Sequence, residues 1–337
     1  MKNKKTIYFA IFLIIGIGLF AGAIWESGIG NIIHTLLRFS LWKFFFLVSI
    51  SIFNFWLFSK RWEVIVKVLY PEKKIPSSAF FLDRLAGYAI SYVTPSAQLG
   101  GEPLRIMMLQ DEGVPKNLAT SSTIIDKALE ISTLIIFISL GVFIASFDPS
   151  FNFDTKLIMI AIMVLLLLLV AWFLYATLKQ IGFFTSIIKL LHLKKFKSLE
   201  NLENKMFAFE TEMNTFYQKN PWTVIKLLFL NLLMISFMLF EHFITAYFLG
   251  VRLTFVQTFL ISTIPYIAYL MPIPGGLGIL ESGTATIFLI LGVNINAFVF
   301  IFILRMRDFV FVILGFIRGY QKGFKILKKE FKKDYKR

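Results

Sequence analysis

Two apolar stretches of this chain are interrupted by the same run of residue types: proline, then paired glycines, then a glutamate. The first reads TPSAQLGGEPLR (Thr94–Arg105) and the second MPIPGGLGILE (Met271–Glu281). Proline removes a backbone donor and glycine loosens a helix, so each stretch is predicted to be two half-helices rather than one continuous helix. In hydrocarbon, broken backbone is tolerated only where protein buries it or a water-filled cavity meets it. Pro95, Gly100 and Gly101 mark the first break, and Pro272, Pro274, Gly275, Gly276 and Gly278 the second. Interruptions at matching places in two halves point to the binding site of a transporter.

The flanking sequence suits a bilayer. Hydrophobic residues make up 57% of the chain and the mean hydropathy is +0.75. Several runs exceed the ~18 apolar residues that mark a membrane helix. The expected fold is an all-α polytopic membrane protein, a single membrane domain over residues 1–337. The 40 phenylalanines read as lipid-facing bulk. Cysteine is absent, which excludes a disulfide framework and a thiolate nucleophile. His34, His192 and His242 lack ligand spacing, so neither a metal nor another cofactor is expected.

The net charge of +15 does not point to nucleic acid, because the basic residues lie where a membrane would sort them. They gather at the N-terminus, in Lys60–Lys74, in Lys179–Lys226 and in the tail Arg318–Arg337, whereas Asp148–Asp154 is acidic. Short basic loops stay in the cytoplasm, so both termini are expected inside the cell membrane. The basic tail is expected to meet anionic inner-leaflet lipid.

Six spans follow: Ile7–Trp25, Leu41–Ser59, Ser121–Phe147, Lys156–Lys179, Trp222–Leu249 and Asn294–Ile317. A short surface helix is expected over Gly28–Ser40 and a helical connector over 180–220. By the charge rule Lys74 and Lys116 are both inside, so Ser77–Asp111 enters and returns on one face. Arg252 and Asn294 are both outside, so Phe255–Gly292 enters and returns on the other. The halves 41–147 and 222–317 then form an inverted-topology repeat with two re-entrant hairpins. Two further full crossings per broken segment would satisfy the same parity.

Charges at membrane depth cost ~2.5–3.5 kcal/mol each on insertion scales and should face one another or a wet cavity. The candidates for substrate binding are Arg84, Glu102, Arg105, Asp126, Glu281, Arg305 and Arg307. Arg105 and Arg305 offer guanidinium forks for phosphate, or ion pairs with Glu102, Asp126 or Asp308. Glu102 and Glu281 are functional carboxylates, or acceptors for amides freed by the breaks. Asp126 and Glu130 stand one helical turn apart, as do Arg305 and Asp308. Glu241 and His242 have no evident partner and read as packing.

At these positions the chain resembles the lysylphosphatidylglycerol synthase transmembrane-region family, also called flippase-like integral membrane proteins. Pro95, Gly101, Glu102 and Arg105 match its proline and G-E-x-x-R signature, and Pro274–Glu281 its P-G-G-L-G-x-x-E signature. STIIDKALEIS (Ser122–Ser132) and Arg305 match its later features, with Asp126-Lys127 standing where relatives often show Glu-Arg. The resemblance implies a lipid translocase moving an anionic or zwitterionic headgroup. It does not imply an enzyme, because no aminoacyl-transferring domain is expected in this length. A secondary transporter for a small anion, a membrane enzyme acting on a lipid phosphate, and a non-transporting partner in envelope assembly are the alternatives. The enzyme has the least support, since no nucleophile–base pair stands out. No Walker motif is present, so ATP is not expected to drive movement.

Overall fold

The computed structural model describes residues 39–96, 98–147, 152–179, 210–211 and 213–334, with positions 30, 33 and 37 ahead of them. The predicted span Ile7–Trp25, most of the Gly28–Ser40 helix and connector residues 180–209 lie outside the described residues. Helix α1 is Leu41–Leu69, followed by a broken pair, α2 (Ser77–Val93) and α3 (Glu102–Asp111), then α4 (Lys116–Ser146) and α5 (Phe153–Leu178). The second half runs α6 (Pro221–Phe248), a broken pair α7 (Phe255–Leu270) and α8 (Ile279–Ile290), then α9 (Ala297–Asp334). No strand occurs among the described residues.

The fold is that of an all-α polytopic membrane protein. Helices α1, α4 and α6 and the Lys156–Phe173 part of α5 are long and apolar enough to cross a bilayer. α5 is apolar on every face, and α5 and α6 leave Leu165, Phe153 and Trp222 exposed, as lipid-facing helices do. α9 reads as less apolar because Arg305, Arg307 and Asp308 interrupt it.

Sequence chemistry sets the ends. Pro76 and Pro115 precede α2 and α4, and Pro221 opens α6, where a missing N–H costs nothing. Thr254 and Gln257 form a reciprocal capping box at the start of α7. The second limbs are short. At 1.5 Å per residue, 10-residue α3 and 12-residue α8 reach only about 15 and 18 Å, against a hydrocarbon core of about 30 Å.

The two halves share more than element order. α1 packs on α2 and α4, as α6 packs on α7 and α9, and α1 and α6 meet each other. α9 lies along α2 as α4 lies along α7, and α3 rests on α4 as α8 rests on α9. Exchanging the halves leaves this set of neighbours unchanged, with α5 standing aside against α4.

Two boundaries differ most from the sequence reading. α1 does not end at Ser59 but continues to Leu69, so most of the supposed basic loop is helix. Its apolar residues Trp62, Ile65 and Val66 are buried at helical spacing, which holds the helix together past its charges. The basic tail likewise begins as an extension of α9. Arg318 donates to Asp83 at 2.8 Å, and Lys322 donates to Asp83 at 2.5 Å and Glu112 at 2.7 Å. These two cations strap α9 to α2 and α3.

Candidate functional site

Both breaks are closed by side chains that replace lost helical hydrogen bonds. At the first, Gly101 N donates to Ser91 Oγ at 2.9 Å, and Ser91 Oγ donates to the Gln98 carbonyl at 3.3 Å. Gly101 crosses against Gly87 so closely that a Cβ would lie 1.8 Å from the Gly87 oxygen. At the second, Pro274–Gly276 forms a tight turn, with Gly275 and Gly276 at φ +55° and +61°. That left-handed backbone suits glycine and disfavours a side chain.

The two glutamates beside the breaks differ. Glu281 is only 1% exposed; it accepts from Gly278 N at 2.8 Å and from Arg305 Nε at 2.5 Å. Arg305 Nη1 also donates to the Gly275 carbonyl at 2.9 Å and to Tyr92 Oη at 3.0 Å. Glu281, Arg305 and Tyr92 therefore lock the second break and tie it to α2. Arg305 does not pair with Asp308, as its helical spacing had suggested; Arg307 does, at 2.7 Å. Glu102 is 17% exposed and pairs with Arg105 at 2.7 Å and Lys127 at 3.6 Å.

Glu102 borders a large cavity of about 370 Å³ lined by α1–α4, α6, α7 and α9. At one end Asp126 is wholly buried and accepts from Arg61, Arg84 and Arg105, each at 2.7 Å. Glu130 pairs with Arg61 at 3.1 Å, Arg84 at 3.0 Å and Lys127 at 2.6 Å. Four cations (Arg61, Arg84, Arg105, Lys127) face three carboxylates (Glu102, Asp126, Glu130), leaving one net positive charge. Flat guanidiniums stack here, Arg84 over Phe58 at 5.2 Å and Arg105 over Trp62 at 4.1 Å.

The other end carries the opposite sign. Glu241 is bound by Ser51 and by Arg307, and Asp308 accepts from Arg307 at 2.7 Å and from Tyr269 Oη at 3.3 Å. Two carboxylates against one guanidinium leave one net negative charge. Between the ends the wall is largely aromatic and apolar, with Phe55, Tyr88, Tyr266, Met234, Met238 and Phe311.

The profile of the Lysylphosphatidylglycerol synthase TM region family matches residues 10–315. The chain belongs to this family. It is also similar to a UPF0104 membrane protein of Methanocaldococcus jannaschii, 25% identical over 304 residues, covering 87% of this chain and 85% of that relative.

In this family member the sequence-derived candidates separate into groups. Arg84, Glu102, Arg105 and Arg307 border the large cavity, whereas Asp126 sits behind its wall as the arginines' shared counter-ion. Glu281 and Arg305 do not border it; they brace the second break, and Arg305 lines only a smaller cavity. Sequence reasoning missed Arg61, counted as part of a cytoplasmic loop, though its position four residues after Leu57 and four before Ile65 placed it on a buried helix face. It also missed Asn231, which accepts from Arg61 at 2.8 Å and donates to Thr133 at 2.8 Å. A lone amide in the leucine-rich run of α6 was the available signal. Glu241 was read as packing but is an ion-paired cavity residue.

Proposed function

We propose that this protein is a lipid translocase that passes a phosphate-bearing headgroup through the large cavity while the lipid tails stay in the bilayer, with no catalytic step. The observation that carries this reading is the cavity's charge polarity, positive at the Asp126 end and negative at the Glu241 end. Phosphate matches the first end, and the ammonium of a zwitterionic head matches the second. About 370 Å³ lies within the ~300–1,000 Å³ of small-molecule sites, room for a headgroup but not for a whole lipid.

Ion pairs in the cavity supply an exchange mechanism. Asp126 is sealed and stays with its three arginines. Glu102 and Glu130, at 17% and 26% exposure, are the accessible carboxylates, and an arriving phosphate takes their place on Arg105, Arg84 and Lys127. On release they return, so the arginines are never left bare in a low-dielectric site.

The short second limbs and the matching neighbours of the two halves support hairpins that enter and leave on one face each, in opposite senses. The proposed setting is the cell membrane with cytoplasmic termini and the far tail beside anionic lipid. The cysteine-free chain gives a direct test. Exposed Lys73→Cys and Lys116→Cys are expected to label from the cytoplasm and Asn294→Cys from outside. Labelling of Lys73 and Lys116 from opposite faces would exclude the hairpin arrangement.

Transport itself is tested in proteoliposomes with fluorescent lipids whose outer-leaflet pool is chemically quenched. Phosphate-bearing lipids, anionic or zwitterionic, are expected to equilibrate faster than a neutral glycolipid or diacylglycerol, without added ATP. Uptake of a soluble anion with no lipid movement would replace the translocase by a secondary transporter. Movement of neither would favour a non-transporting partner in envelope assembly.

A further inference from the structure

Beside the large cavity lies a smaller one of about 110 Å³, bounded by α6, α7, α8 and α9. Met238, Glu241, Tyr266, Tyr269, Arg307 and Asp308 border both cavities, so they form the partition. His242 lines only the smaller one and is 4% exposed. Its Nδ1 lies 2.8 Å from the Met238 carbonyl. A carbonyl accepts only, so in the neutral ring Nδ1 carries the proton and Nε2 presents a lone pair. That Nε2 is buried and makes no hydrogen bond within the protein. Arg305, on the same cavity, has an equally buried and unpartnered Nη2. An orphaned acceptor and an orphaned donor on one small, otherwise mostly apolar cavity mark a place for ordered water, and water brings protons.

The groups packed around His242 define what it can hold. Its own helix contributes Glu241, which also accepts from Ser51 of α1. α7 contributes Tyr266 and Tyr269, and α9 contributes Arg305, Arg307 and Asp308, with the Phe300 ring 5.9 Å away. Leu280 is the lining residue from α8, and Glu281 behind it neutralises Arg305. Three carboxylates against two guanidiniums leave one uncompensated negative charge. The single unpartnered lone pair of Nε2 takes one proton, the cation that fits it.

We propose that His242 Nε2 is a proton-binding site, and that a proton there competes with the cationic part of a lipid headgroup for the one negative charge at this end of the large cavity. Either cation brings the Glu241, Asp308 and Arg307 cluster to neutrality, and both together leave an excess positive charge in a low-dielectric site. Headgroup and proton therefore exclude one another across the partition, the requirement for exchanging a cationic or zwitterionic lipid against protons. The second half of this statement rests on the translocase reading; the proton site does not.

The test is nitrogen NMR of the full chain labelled with 15N-histidine in nanodiscs, with the His242 signals assigned by their loss in His242→Gln. The His242 ring is expected to take up a proton as the pH is lowered toward 5. Asp308→Asn, which keeps an acceptor for Tyr269, is expected to weaken proton binding at least tenfold. Nanodiscs rich in phosphatidylethanolamine are expected to weaken it several-fold relative to phosphatidylglycerol alone. A ring that stays neutral down to pH 5, or one that titrates without regard to Asp308, overturns the site. Titration that depends on Asp308 but not on lipid composition leaves the proton site standing and removes the competition. If His242 titrates as expected while no lipid moves in proteoliposomes, the translocase reading alone has failed.

Discussion

Asp126→Asn is expected to lower thermal stability more than any other single change at the large cavity. The Asp126 carboxylate is fully buried and accepts from three guanidiniums at 2.7 Å. An amide keeps the shape but removes the charge, leaving Arg61, Arg84 and Arg105 crowded around a neutral group that also donates. Uncompensating a buried charge costs about 3–5 kcal/mol, and here three cations share the loss. Changing one arginine, as in Arg84→Gln, leaves Asp126 with two partners and is expected to cost less. The measurement is the fraction of monodisperse protein surviving a heating series in detergent. Should Asp126→Asn survive heating as well as the parent chain while Arg84→Gln does not, the idea of a permanent shared counter-ion is wrong.

What was legible in the sequence was whatever depends on local chemistry. The breaks at Pro95–Gly101 and Pro272–Gly278 were readable because proline and paired glycine disrupt helices in any context. The element order of the two halves followed from the same punctuation and from the long apolar runs. The membership of the cavity was only half readable. Arg84, Glu102, Arg105 and Arg307 could be singled out because a charge in an apolar run needs a reason. Arg61 was lost because Lys60, Arg61 and Lys67 together look like the cytoplasmic end of a span. The helix instead continues, with Lys60 and Lys67 held by Glu63 while Arg61 turns into the core.

Partner choice was the least legible feature, because it is decided by tertiary packing. Arg305 sits a turn from Asp308, yet its guanidinium is taken by Glu281, by the Gly275 carbonyl and by Tyr92 from the other half. One signal was present: Glu281 lies three residues after Gly278, the spacing at which a carboxylate turns back to the first amide of a helix. Read that way, the second glutamate belongs to the helix end, and the apparent equivalence of the two motifs ends there. The backbone device is repeated; the chemistry beside it is not.

That inequality gives the sharpest functional expectation, a split between Glu102→Gln and Glu281→Gln. In the proposed exchange Glu102 stands in for phosphate on Arg105 and Lys127 and drives the headgroup off when it returns. Glutamine keeps the shape but forfeits a charge-assisted hydrogen bond worth about 1.5–3 kcal/mol, or roughly ten- to hundredfold in an equilibrium constant. Glu102→Gln is therefore expected to fold normally, to bind a phosphate-bearing lipid tighter, and to move it at least ~tenfold more slowly. Glu281→Gln leaves Arg305 under-compensated at a buried backbone turn, so its expected loss is stability of the second break. The surviving folded fraction should still bind lipid, since Glu281 does not border the large cavity. Lipid affinity by fluorescence titration, turnover in proteoliposomes and monodispersity after heating separate the two. Equal losses of turnover at unchanged stability in both variants would restore the symmetric site that the paired motifs suggest. Weakened lipid binding in Glu102→Gln would make Glu102 a headgroup ligand instead of a competitor for the arginines.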